Sequence, residues 1–309
     1  MAVLKKGFFK NTSFPFQIFM LFSFVILGIS LGAYLFKGLI WVKSGFSSEI
    51  VNDLLQHINE DAQLMRQSLF FQTVCGFFFP ALIFARFFSD DAKEYLAMEQ
   101  GISGSVAALT ILSIIFALPI LNVIVYLTQQ IPLPDFMKAV ESQIVEWENQ
   151  AQHEIEAMLI TDKYLTFLIN LLIVAVLAAV GEEFLFRGIL QNIFGKIIKN
   201  PHAVIWTVAF IFSLVHLQFF GFFARMLLGA YLGYLLYYSK SIWLPVLAHS
   251  VNNALGVISY YSIKDPELLK KMDQVGVGPT FWVSLVSLVL FSVTFIFIIK
   301  KCKSQNFFS

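Results

Sequence analysis

Long hydrophobic runs separated by short polar stretches dominate this chain. Counted against the roughly 20 apolar residues needed to cross a bilayer, they predict eight spans, at about 14–36, 69–88, 102–128, 164–195, 203–220, 222–238, 243–261 and 280–300. The fourth is long enough to overshoot a bilayer and is expected to tilt, bend or break near Gly181. Two intervening stretches differ in kind. "SSEIVNDLLQHINEDAQLMRQ" and "DFMKAVESQIVEWENQAQHEIEAM" are polar with apolar residues at helical spacing, in the second Met137, Val140, Ile144, Trp147, Ala151, Ile155 and Met158. They predict amphipathic helices at the interface or against the bundle, with their acidic residues on a solvated face. "IPLP", residues 131–134, reads as a rigid turn into the second of them. The whole pattern predicts an all-α fold, a polytopic membrane helical bundle of about eight transmembrane helices.

Composition agrees and narrows the function classes. The chain has 309 residues, 58% hydrophobic and 13% charged, with 35 Phe and a mean hydropathy of +0.76, outside the usage of soluble domains. A net charge of +1 with no basic stripe excludes a nucleic-acid partner. Cys75 and Cys302 cannot build a disulfide framework and read as plain thiols. The first hydrophobic run exceeds a signal-peptide core and reads as a retained helix. Lys5, Lys6 and Lys10, then Lys196 and Lys199, then Lys300, Lys301 and Lys303 fall on one side of the eight-span count, while Lys264, Lys270 and Lys271 pull weakly the other way. The positive-inside rule makes that side the cytoplasm. The expectation is a multi-pass protein of the cell (inner) membrane with both termini cytoplasmic. Gly28 with Gly32, and Gly229 with Gly233, are small-xxx-small pairs that let helices approach closely.

The chemistry concentrates between residues 164 and 264, where Glu182 and Glu183 are the only carboxylates. An ionised side chain at a helix centre in lipid costs roughly 2.5–3.5 kcal/mol on insertion scales, so such groups face a protein interior or a wet cavity. In "GEEFLFRG" Glu183 and Arg187 are i and i+4 and can pair. Glu182 is turned about 100° away by the helical period and is left without a partner from its own turn. "FSLVHLQFF" places His216 four residues after Phe212, and "LAHSVNNALG" places His249 and Asn253 on one face of the seventh span. Each signal alone is weak, and His57, His153 and His202 read as incidental. Together, a carboxylate, two imidazoles and a carboxamide supply a general base, a second proton-handling group and oxyanion donors, the inventory for hydrolysing an amide with water.

The set EExxxR at Glu182, Glu183 and Arg187, FxxxH at Phe212 and His216, and HxxxN at His249 and Asn253 resembles the CAAX protease and bacteriocin-processing enzyme family. This is the CPBP or Abi family, which includes the type II CAAX prenyl endopeptidases. The approach to the last motif, with Ser241, Ile242, Trp243 and Pro245, is similar as well, and the resemblance covers about residues 165–257. It implies an intramembrane endopeptidase of helical-bundle fold in which Glu182 and His216 activate the attacking water. His249 and Asn253 would hold the oxyanion, with Glu183, Arg187 and Phe212 supporting the site. It divides the single structural domain into N-terminal helices with amphipathic segments (1–163), a catalytic core (164–264), and a last helix with a basic tail (265–309). The implied substrate is a membrane-associated peptide or protein, of CAAX or bacteriocin type, and self-immunity is a further family role.

The family has been described both as metalloprotease and as glutamate protease. Zinc would be held by Glu182, His216 and His249. The absence of HExxH, and an Asn suited to donating an amide proton, favour the glutamate type with no cofactor. Two competing classes remain at this stage. A proton-coupled transporter also uses intramembrane Glu, His and Arg, but no inverted repeat or pair of broken helices is visible. A noncatalytic membrane scaffold or immunity protein would keep the motifs without cleavage.

Overall fold

In the computed structural model, which describes residues 6–131, 135 and 141–305, most of the described residues are helical and none of them forms a strand. Met137 and Val140 of the second amphipathic stretch, Pro132 and Pro134 of the expected turn, and Lys5 lie outside the described residues.

Helix α1 (Phe14–Lys43) starts at Ser13 with a proline in its first turn, where a missing N–H costs nothing. The short α2 (Ser48–Gln56) is capped by Ser47. Asp61 caps α3 (Ala62–Phe88) through the Gln63 and Leu64 amides. Midway, α3 winds one π turn over Val74–Phe78, just ahead of Pro80. The proline supplies no N–H to the preceding turn, and the wider turn accommodates the break in the ladder. α1 crosses at this point. A Cβ on Gly28 would lie 2.0 Å from the Cys75 carbonyl oxygen, and one on Gly32 2.8 Å from that of Phe71. The first glycine pair is therefore a packing device. Gly28→Val is expected to destabilise the bundle by about 1–3 kcal/mol through overpacking, read as a lower unfolding midpoint of the purified protein. Gly38→Val on the same helix, where no atom lies within 4 Å, is the neutral control.

After the one-turn α4 (Ala92–Tyr95), α5 (Gly104–Gln130) runs the length of the bundle and packs chiefly against the last helix, α12 (Phe281–Gln305). Pro119 interrupts α5, and its carbonyl accepts a bond from Ser284 Oγ at 2.9 Å. Between them come α6 (Glu141–Leu159), α7 (Tyr164–Gly195), α8 (Pro201–Leu214), α9 (Phe222–Ser239), α10 (Trp243–Ser262) and α11 (Pro266–Asp273). Helices cover all eight predicted spans, except that the fifth stops at Leu214 instead of continuing to 220. Five rods, those of α1, α3, α5, α7 and α12, are long and apolar enough to cross a membrane. α8 is apolar but shorter, and α9 and α10 carry Arg225, His249, Asn252 and Asn253 within their lengths. The expected polytopic all-α bundle is present, its eight apolar segments being these five long rods together with the shorter α8 and the more polar α9 and α10.

Contacts fix which ends lie together. Lys196, past the end of α7, donates to Gln17 at the start of α1, and Lys303 at the end of α12 lies over the Tyr238 ring at the end of α9. The residues leading into α10 are tied to the same end. Ser241 Oγ donates to the Gln100 carbonyl (2.5 Å), the Ile242 amide to Ala97 (2.9 Å), and Trp243 Nε1 to Met98 (3.0 Å). Three consecutive residues of the motif approach therefore serve to dock the N-terminus of α10. At the opposite end α6 lies against the bundle, its Met158 carbonyl accepting from Arg66 and Asn170, with Met158 and Leu159 buried. Trp147 stays 58% exposed, so the predicted apolar stripe is only partly covered. Both cysteines are buried and free, as expected.

Candidate functional site

α7 positions the two carboxylates. It does not break at Gly181. It stays helical but winds two π turns, Leu171–Leu177 and Phe184–Leu190, on either side of Glu182 and Glu183. Gly181 lets α3 approach, since a Cβ there would lie 3.2 Å from Phe77 Cβ and 3.3 Å from Thr73 Cγ2. The first π turn leaves the Val174 carbonyl to accept from Asn253 Nδ2 at 3.2 Å, the usual way a freed backbone group is satisfied inside a membrane bundle.

Glu183 and Arg187 are both fully buried and pair at 2.9 Å, Nη1 donating to Oε1. The expected i,i+4 pairing is present. Arg187 Nη2 also donates to the Gly229 carbonyl at 3.1 Å, and its guanidinium carbon sits 4.4 Å from the centre of the Phe212 ring. Gly229 allows this approach because a Cβ there would lie 3.3 Å from Nη2. The second glycine pair therefore does more than bring helices together.

His249, reaching over from α10, bonds the same carboxylate. Its Nδ1 lies 2.8 Å from Glu183 Oε1, and its Nε2 lies 3.8 Å from Glu182 Oε2. Glu182 takes no partner from its own turn here either, and the side chain that reaches it comes from another helix. A one-residue helical step of about 100° still leaves two side chains on a common side, and one imidazole reaches both with its two nitrogens. The carboxylates differ in access, with the Glu182 side chain 20% exposed and that of Glu183 sealed.

His216 arrives by a different route from the one its motif predicts. α8 ends two residues before it, and the chain turns through Leu217 at φ 54°. His216 Nδ1 bonds the Phe212 carbonyl at 2.7 Å. Phe212, 1% exposed, presents its ring edge-on to both imidazoles, with centroids 5.0 Å from His216 and 5.9 Å from His249. With α8 ending at Leu214, the two histidines, from the loop after α8 and from α10, meet on one ring. Among the described residues His216 makes no hydrogen bond or ion pair with Glu182, and Asn253 is held by Val174 and Asn252.

No three His, Cys, Asp or Glu side chains among the described residues gather closely enough to hold a metal ion. Glu182, His216 and His249 thus do not form a zinc set in this arrangement.

Reasoning from the sequence passed over two polar contributors. Arg225 is the one Lys or Arg between 200 and 239, so the rule that flagged Glu182 applies to it as well. It donates to Gln218 Oε1 and lies in electrostatic reach of Glu182 and His216. The other is Glu148 of α6, whose Oε1 accepts the Phe220 amide at 3.0 Å. No local signal separates it from the other acids of that helix.

The fold and site together define a multi-pass membrane protein with a buried Glu, Arg and His cluster held by helices α7 to α10. Residues 164–255 match the sequence model of the type II CAAX prenyl endopeptidase Rce1-like family, in agreement with the CPBP resemblance. Every member of the cluster, and each of the three motifs, falls inside that stretch, and at the level of class the match supports a CAAX-type intramembrane protease. No curated protein and no solved structure matches the chain.

Proposed function

We propose that the chain hydrolyses peptide bonds of membrane-associated peptides or proteins with water activated by Glu182. The observation that supports this most is the division of labour around His249. Glu183, neutralised by Arg187, fixes the Nδ1 side of the imidazole, and its Nε2 is thereby aimed at the partly open Glu182. This puts a partly exposed carboxylate, able to act as a base, beside an imidazole held in one orientation.

In this reading Glu182 takes the proton of the attacking water as oxygen bonds the carbonyl carbon, and His216, across Phe212, is the second group that handles it, the proton going to the leaving amine as the C–N bond breaks. A proton on each nitrogen of His249 balances the two carboxylates against Arg187 and leaves Nε2–H to meet the oxyanion. Asn253, with one amide proton engaged by Val174, offers the other. The glutamate-type mechanism needs no cofactor. By the positive-inside rule we place the end with Lys6, Lys10, Lys196 and Lys303 in the cytoplasm. CAAX-type and bacteriocin-type substrates are both membrane-associated polypeptides and suit the same site.

The test is cleavage by the purified chain in lipid vesicles, using lipid-anchored CAAX-type and bacteriocin-leader-type peptides with products identified by mass. Cleavage at one internal peptide bond is expected, and it is expected to survive a strong chelator. Loss of activity on chelation, restored by zinc, would overturn the metal-free mechanism. Substrate movement across the vesicle without cleavage would favour a transporter.

A further inference from the structure

We propose that Glu148, on α6 and outside the stretch that matches the family, is a positioning residue that holds the loop bearing His216. The proposal rests on the hydrolytic reading above. Residues 215–221 form an irregular connection between α8 and α9, with Leu217, 83% exposed, in the left-handed region that a leucine enters only when its surroundings hold it there. Four side-chain bonds do so. Ser213 Oγ donates to the Phe222 carbonyl at 2.6 Å, His216 Nδ1 bonds the Phe212 carbonyl, and Arg225 donates to Gln218. These three come from the loop and its flanking helices. The fourth is the Phe220 amide donating to Glu148 Oε1 at 3.0 Å, across 72 residues of chain.

Glu148 is set apart from its neighbours on α6. Glu146, Glu154 and Glu156 accept from Gln143, Gln150 and Gln152 of their own helix, Glu146 exposed and the other two half-buried as Glu148 is. Glu148 is half-buried and bonds another element, a charge-assisted bond to a backbone amide of the kind that is roughly twice as strong as a neutral one. It also lines a cavity of about 710 Å³ together with Gln218, Phe220, Tyr126, Tyr260 and Asp273. None of Glu182, His216 and His249 lines this cavity, so what the contact does is tie one of its walls to the loop that carries the imidazole. α6 does not depend on Glu148 for its own docking, because Arg66 and Asn170 hold Met158 and Gln152 donates to Tyr260 Oη.

The experiment compares the full chain in lipid vesicles as wild type, Glu148→Ala and Glu148→Gln. It measures kcat and KM on one cleaved peptide and amide hydrogen exchange over 215–221. Glu148→Ala is expected to lower kcat roughly 10- to 100-fold, the scale of a misplaced catalytic group, with little change in KM and faster exchange at the Phe220 amide. Glu148→Gln keeps a carbonyl acceptor and is expected to return kcat to within about threefold and to keep the slow exchange. An unchanged kcat in Glu148→Ala, or equal impairment of the two variants, would overturn the proposal. A wild-type chain that cleaves nothing counts against the hydrolytic reading instead, and the exchange comparison still decides whether Glu148 holds the loop.

Discussion

Glu182→Gln is expected to lower kcat/KM for a membrane-anchored peptide by about 10²- to 10⁴-fold, the range a general base supplies, while the protein folds as wild type. The reason lies in what Glu182 touches. Its side chain is partly exposed, its approach to His249 at 3.8 Å is longer than a hydrogen bond, and among the described residues no hydrogen bond ties it to the fold. The amide is nearly isosteric and cannot accept the proton of water. The unfolding midpoint and the kinetic constants, measured on the same preparation, separate this outcome from a folding defect.

Arg187→Met is expected to act in the opposite way, through stability. Arg187 is fully buried and makes three contacts at once, with Glu183 Oε1, the Gly229 carbonyl and the Phe212 ring. Removing it leaves His249 alone to balance both carboxylates, one negative charge in excess in the core, and breaking a buried pair from one side costs about 3–5 kcal/mol. The double variant Glu183→Gln with Arg187→Met removes the orphaned charge and is expected to regain a large part of that loss. Equilibrium unfolding of the purified single and double variants checks the pair. Equal loss in both would mean that the guanidinium acts mainly through Gly229 and Phe212.

The all-α bundle was legible in the sequence because lipid imposes long apolar runs that no other fold requires. Gly28 and Gly32 announced a close helix approach by their spacing, though not that α3 is the partner, and Glu183 with Arg187 announced their pairing by the helical period. Other features were closed to such reasoning. The end of α8 at Leu214 has no glycine or proline to mark it, since the turn is made by Leu217 and secured by side chains from elsewhere. The π turns around Glu182 and Glu183 depend on Pro-free apolar stretches whose freed carbonyl finds Asn253 79 residues later. The 2.8 Å bond between His249 and Glu183 spans 66 residues. Motif spacing gathers such residues into a list, but only tertiary packing decides that Glu183, rather than Glu182, bonds the imidazole.

The central claim is that Glu182 and His216 together turn water into a nucleophile at a peptide bond. The most direct measurement is single-turnover cleavage of a lipid-anchored peptide by purified wild type, Glu182→Ala and His216→Ala in the same vesicles. Wild type alone should release the product, with both variants folded and bound to peptide but silent. Cleavage by either variant at the wild-type rate would contradict the account.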